Sequence, residues 1–133
     1  MRTSRHPHRV EFGECDPFGI VYFPRYLEML DAATAALFDA AGVPLTQLLD
    51  DGIGIPLVTV NVEFHRPATF GDQLVVVSRV VRWGDSSFDL EHEVRRGEDL
   101  VATATARRVW TRREGARLAG VTVPDDIRRR FLA

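Results

Sequence analysis

The period of apolar positions changes once along the chain. From Leu27 to Ala41 they recur every three or four residues, through Leu30, Thr34, Leu37 and Phe38. That is the repeat of one face of an α-helix. Pro24 suits the first turn, where its missing N–H costs nothing, and Gly42 suits the C-terminal cap. The pattern predicts a helix over 24–41. The same segment carries Ala32, Ala33, Ala35, Ala36 and Ala40. With few large side chains, other backbone can approach it on several sides, so this helix is expected to be largely wrapped. Pro44 to Asp50 predicts a short second helix.

After Pro56 the period is two. The stretches LVTVNVEFH and QLVVVSRVVRW alternate, and LVATATARRVW is long and rich in small residues. In SSFDLEHEVR, Phe88, Leu90, His92 and Val94 share one face, against Asp89, Glu91, Glu93 and Arg95 on the other. Gly71-Asp72, Gly84-Asp85 and Gly97-Glu98 punctuate these runs at regular distances, which predicts consecutive hairpins. Pro124 opens a short C-terminal helix bearing Arg128, Arg129 and Arg130. Ahead of the long helix, His8–Gly13 reads as a first strand and Asp16–Val21 as a loop, with residues 1–7 a loose tail. Neither repeats nor a linker interrupt 8–133, so one domain is expected. The element order predicts an α+β fold, a single helix lying across a curved antiparallel sheet. Such a sheet keeps an edge or a face uncovered, and self-association should follow.

Composition narrows the function. A chain of 133 residues fits one domain and can bury a core without staples. A formal net charge of −2 supplies no overall field to recruit nucleic acid. All 17 basic residues are Arg, so no lysine can form a Schiff base or take a proton. Cys15 is the single cysteine, which excludes an intramolecular disulfide. MRTSRHPHR is basic but lacks the apolar core of a signal peptide, and no apolar run approaches the roughly 18 residues of a membrane span. The expected location is the cytoplasm, without a membrane partner.

Between first strand and long helix stands FGECDPFGIVYFPRY, with an acid, a proline and a glycine in the connector. Asp16 precedes Pro17, which biases it to extended backbone. It lies a few residues before a helix N-terminus, where unpaired N–H groups and a partial positive charge favour an anion. Phe23 is the candidate donor, because Pro24 supplies none. An acid near such donors is the minimum for attack on an acyl carbonyl. An aspartate before proline also serves as a turn or capping residue, so the residues alone leave both readings open.

The segment FGECDPFGIVYFPRYLEMLDAA closely resembles the active-site segment of the 4-hydroxybenzoyl-CoA thioesterase family. The similarity is densest from Glu11 to Ala33. It continues through IPLVTVNVEF, the Phe70–Asp72 triplet and GARL ahead of VTVP. The resemblance implies the hotdog fold, a long helix wrapped by five or six antiparallel strands. It implies hydrolysis of an acyl-CoA thioester, with an aromatic, benzoyl-type acyl group as first choice. Asp16 would be nucleophile or general base, the Phe23 N–H would hold the oxyanion, and Asp31 would meet the far end of the acyl group. As an alternative, Asp31 is a polar residue on a part-exposed helix face.

The family binds coenzyme A at a subunit interface with arginines on its phosphates, for which the guanidinium fork is suited. Arg117 matches one of them. The chain departs from the family at Gly84-Asp85-Ser86, where the aryl-specific branch is basic, and at Ala119, where a second arginine is replaced. Arg82, Arg112 and Arg113 are the substitutes considered, each against the plainer reading of a solvated strand charge. Related thioesterases of the Tol-Pal cell-envelope system carry a histidine near Phe23, and its absence favours the aryl branch. Coenzyme A is part of the substrate, so no cofactor or metal is expected. A homo-oligomer is expected, a dimer at least and a tetramer as first choice. The alternatives are a short-chain aliphatic acyl-CoA thioesterase and a non-catalytic hotdog protein that binds acyl thioesters.

Other residues read as structural. His6 and His8 form a surface pair, while His92 shares the apolar face of its strand as a satisfied core or interface imidazole. Cys15 has no positioned histidine to make it a nucleophile, and Glu28 faces solvent or a neighbouring subunit.

Overall fold

In the computed structural model, which describes residues 1–132, the chain runs in order through β1 (Thr3–Arg9), α1 (Pro24–Ala40), α2 (Leu45–Asp50), β2 (Ile53–Gly54) and β3 (Leu57–Phe64). Then come β4 (Gln73–Trp83), β5 (Ser87–Arg96), β6 (Asp99–Val109), β7 (Thr111–Glu114), β8 (Arg117–Gly120) and α3 (Asp125–Arg130). Five strands form an antiparallel sheet in the order β1-β4-β5-β6-β3, and β2-β7-β8 form a second, small one. The α+β fold and the helix lying on an antiparallel sheet are as the sequence predicts.

Helix α1 begins at Pro24 and buries Tyr26, Met29, Leu30, Ala33, Thr34, Leu37 and Phe38 against the sheet. Its end is set by Gly42, whose φ of 80° lets the chain turn. The Gly42 N–H donates to Asp39 O and the Val43 N–H to Phe38 O, both at 3.0 Å. The opposite face, with Glu28, Asp31 and Ala32, is exposed, so within one chain the helix is covered on one side.

The helix divides the core into two clusters. At its C-terminal end Phe38 meets Phe131 and Phe88, with ring centroids 4.8 and 6.1 Å away. At the N-terminal end Tyr26, Met29 and Leu30 meet Leu74, Val76 and Val94 from the sheet. Phe38 is fully buried, and its replacement by alanine should cost about 3–5 kcal/mol.

Three expectations are corrected. Thr3–Arg9 is a strand, paired with β4 from Thr3↔Arg79 to Arg9↔Gln73, so residues 1–7 are not a loose tail. The segment is polar because β1 is an edge strand with mostly exposed side chains. What holds it is backbone pairing, reinforced where the Arg2 N–H donates to Phe131 O at 2.7 Å. The expected first strand over His8–Gly13 ends at Arg9, and Phe12–Glu14 is a 3₁₀ turn. Finally, Gly71 does not close a hairpin. β3 pairs with β6 rather than β4, because 65–72 crosses beside the loop before α1, where the Val21 N–H donates to Ala68 O at 2.9 Å. β4, β5 and β6 are consecutive hairpins as expected.

Candidate active site

The loop before α1 is a closed turn. The Gly19 N–H donates to Asp16 O at 2.8 Å, and the Asp16 N–H donates to Ile20 O at 2.9 Å. Gly19 has φ 83°, a left-handed conformation that glycine adopts without a Cβ penalty. Asp16 Oδ1 accepts from the Phe18 N–H at 2.9 Å, an Asx turn. The turn is fastened to its surroundings. The Tyr22 N–H donates to Glu14 O at 2.8 Å, and Thr69 Oγ1 donates to Gly19 O at 2.6 Å. Asp16 is half-buried, with one carboxylate oxygen engaged by the turn.

Phe23 has helical backbone angles, φ −55° and ψ −34°, and is the N-cap of α1. The Arg25 and Tyr26 N–H groups are taken by Tyr22 O and Phe23 O. The Phe23 N–H has no acceptor among the described residues, and Pro24 has no N–H. A free donor therefore stands at the positive end of the helix, seven residues after the fixed carboxylate.

From Phe23 a stripe of α1 side chains runs through Leu27, Leu30 and Asp31, on one face by helical spacing. It borders a trough between α1 and the edge strand β3. The end near Phe23 and Tyr26 is a groove of about 270 Å³, closed on the other side by Phe64 and Pro67. Further along lies a cleft of about 210 Å³ walled by Leu27, Leu30, Leu57 and Val60. Asp31, Arg108 and His92 are its polar lining residues.

The predicted site residues are placed unevenly. Asp16 and Phe23 bracket one loop. Asp31 lies in the cleft, where Arg108 Nη2 donates to its Oδ1 at 3.0 Å while Nη1 donates to Ile55 O at 2.9 Å. Arg82 lies on the sheet face turned from the helix, 3.8 Å from Asp89, whose closer partner is Arg107 at 2.8 Å. Those arginines, with the Arg107 hydrogen bond first, hold Asp89 below the usual carboxylate range. Arg117 opens β8, exposed and without an ion pair among the described residues. Arg112 is directly opposite Ala119 in the β7–β8 ladder, and Glu114 is opposite Arg117. Cross-strand partners share a face, so Arg112 and Arg117 project from the same side of the small sheet.

Sequence reasoning missed the role of Arg108. Its parity along β6 matches the buried Ala104 and Ala106, which was the available signal. It also missed that His92 reaches the cleft. The imidazole is buried and Nδ1 lies 2.6 Å from Ser78 Oγ, as the core reading of this residue expects. Burial first, and then the Arg108 charge, lower its pKa to about 4, so the ring is neutral near pH 7.

A half-buried carboxylate and a free amide share the loop that leads into a helix packed across an antiparallel sheet, an arrangement compatible with a hotdog-fold thioesterase. Comparison with known proteins agrees. Residues 10–131 match the thioesterase-like superfamily. The chain is 39% identical to the 4-hydroxybenzoyl-CoA thioesterase of Pseudomonas sp. strain CBS-3, over 94% of each chain. Among solved structures, it is similar to an aspartate-to-asparagine variant of 4-hydroxybenzoyl-CoA thioesterase complexed with 4-hydroxybenzoyl-CoA. That match has a TM-score of 0.90 and 34% identity, over 98% of this chain and 99% of the other. A gentisyl-coenzyme A thioesterase matches with a TM-score of 0.87 and 30% identity, over 94% of this chain and 99% of the other. The chain belongs to the thioesterase-like superfamily and, within it, to the 4-hydroxybenzoyl-CoA thioesterase family; it is a thioester hydrolase of the acyl-CoA class.

Proposed function

We propose that the protein hydrolyses an aromatic acyl-CoA, of benzoyl or hydroxybenzoyl type, to the free acid and coenzyme A. The observation that carries this reading is that the fastened Asp16 turn and the free Phe23 N–H lie on one loop before α1. The thioester carbonyl oxygen accepts from that amide, and the helix dipole favours the charge that grows on the oxygen. Asp16 then follows one of two routes. As nucleophile its free oxygen adds to the carbonyl carbon, the C–S bond breaks, the thiolate leaves and takes a proton from solvent, and water cleaves the anhydride. As general base it takes a proton from the water that attacks the carbonyl carbon; the C–S bond then breaks and the thiolate leaves, taking a proton from Asp16 or solvent.

The acyl group lies along the α1 stripe past Leu27, its far end at Asp31. Support for an aromatic group comes from the relatives, whose names specify 4-hydroxybenzoyl and gentisyl thioesters. An apolar cavity of about 150 Å³ is enough to bind benzene, so a cleft of about 210 Å³ accepts a ring with a small substituent. Arg117 takes a coenzyme A phosphate. Arg112, opposite Ala119, is the substitute best placed to join it; Arg82, on the far face with Asp89, is the least well placed. No cofactor or metal enters this scheme.

The enzyme works as a homo-oligomer, at least a dimer and as first choice a tetramer. The outer edge of β3 is unpaired, and Leu57, Val58 and Phe64 on that strand are 46, 55 and 52% exposed. A second copy pairing there would roof the trough. One cysteine and no disulfide suit the cytoplasm.

The apolar cleft walls also favour a second reading, a short aliphatic acyl group. A panel of benzoyl-, 4-hydroxybenzoyl- and butyryl-CoA, followed by thiol release, separates the two. The aromatic reading expects kcat/KM highest for an aryl thioester, and a preference for butyryl-CoA overturns it.

A further inference from the structure

His92 stands mid-strand on β5, between Leu90 and Val94 on the helix-facing side, and is 2% exposed. An apolar residue would serve that position without polar cost. Instead the strand places an imidazole opposite Ser78, itself fully buried, in register on β4. Ser78 Oγ and His92 Nδ1 lie 2.6 Å apart and satisfy each other. Nε2 has no partner among the described residues. It is not among the sealed, partnerless atoms, which are Ser4 Oγ and Arg108 Nε. His92 is among the residues that line the cleft with Asp31 and Arg108, and its side chain is on the helix-facing side of the sheet, the side of that cleft.

We propose that His92 is a specificity-determining residue, whose Nε2 hydrogen-bonds a hydroxyl on the far end of the acyl ring from the floor of the cleft. The inference rests on the aryl thioesterase reading above. Whichever of Ser78 and Nδ1 supplies the proton they share, Nε2 is left as either donor or acceptor. A phenolic hydroxyl is both, so it matches either tautomer, whereas the C–H edge of a bare ring matches neither. Neutrality of the ring, from burial and Arg108, avoids a buried cation. Placement agrees as well. Asp31 is eight residues beyond Phe23, roughly 12 Å along the helix axis, and its side chain leans back toward the N-terminus. A ring held at the Phe23 amide and running along this face of the helix would direct its far end toward Asp31.

The test is the ratio of kcat/KM for 4-hydroxybenzoyl-CoA over benzoyl-CoA, in the wild type and in His92→Phe. A site built to hydrogen-bond a substrate hydroxyl discriminates strongly against its absence. The expected wild-type ratio is at least about 30, falling at least about tenfold in His92→Phe, as loss of one such bond implies. A wild-type ratio near one, or an unchanged ratio in the variant, overturns the assignment. A purely structural role would lower both substrates together and leave the ratio in place. Should His92→Phe not fold, the wild type answers by ¹⁵N NMR with non-hydrolysable thioether analogues of the two substrates. The Nε2 resonance shifts with the hydroxylated analogue and not with the bare one; equal shifts overturn the proposal. Turnover confined to butyryl-CoA removes the aryl reading itself, an outcome distinct from aryl turnover without discrimination.

Discussion

Oδ1 of Asp16 accepts a hydrogen bond from the Phe18 N–H at 2.9 Å, so the carboxylate that lies before the long helix also ties its own turn. The two duties separate by substitution. Asn keeps a carbonyl oxygen for the Phe18 amide, and Ala does not. Asp16→Asn should fold with a melting temperature close to that of the wild type. Asp16→Ala should lose about 1 kcal/mol, as removal of a side-chain cap does. Thermal melts of both variants check this, and equal loss in both would show that the turn does not depend on the bond.

The ion pair between Asp31 and Arg108 is lopsided, with side-chain exposures of 75% and 13%. Asp31→Asn should change stability by no more than about 0.5 kcal/mol, as for exposed pairs. Arg108→Ala strands the Ile55 carbonyl, which Nη1 serves at 2.9 Å, and should cost about 1–3 kcal/mol. Denaturant unfolding measures both. Matching losses would mean that Arg108 acts only through Asp31.

His92 ties stability to pH. Its folded pKa, about 4, lies below the ordinary value of 6.5. Between those values the unfolded chain binds a proton that the folded chain refuses, so stability falls as pH drops from 6.5 toward 4, by up to about 3 kcal/mol. Asp72, held down chiefly by the Thr69 N–H, and Asp89, held down chiefly by Arg107, lose their contributions only below the ordinary carboxylate range. Melting temperatures across pH 4–7 should slope in the wild type and flatten in His92→Gln. An equal slope in both assigns the effect elsewhere.

The proposed pairing of β3 with a second copy predicts that Val58→Glu lowers the oligomer toward the 15.0 kDa monomer in light scattering, with loss of turnover. A wild type that is already monomeric and active would remove the interface from the account.

Much of this architecture is legible in the pattern of residues because the patterns are local. Pro24, the 3.6-residue repeat and Gly42 bound α1 within a residue, and alternation alone faces His92 inward. Sheet order is not local. The pairing of β3 with β6, across β4 and β5, depends on the packing of residues 65–72 beside the Gly19 turn. The Thr3–Pro7 part of β1 does not read as strand because its hold is backbone pairing, to which TSRHPHR adds little apolar surface. In the site, Asp16 and Phe23 share one loop and were readable together. The bonds from Arg108 to Asp31 and from Ser78 to His92 join residues 77 and 14 apart and required the register.

Thiol release from a 4-hydroxybenzoyl thioester of coenzyme A by Asp16→Asn, beside the wild type, tests the central claim most directly. The variant keeps the turn and loses the charge. The account predicts a fall in kcat of about a thousandfold or more, in the range expected on removing a nucleophile or base. Turnover within a few-fold of the wild type would contradict it, and the carboxylate before the helix would then be a turn residue alone.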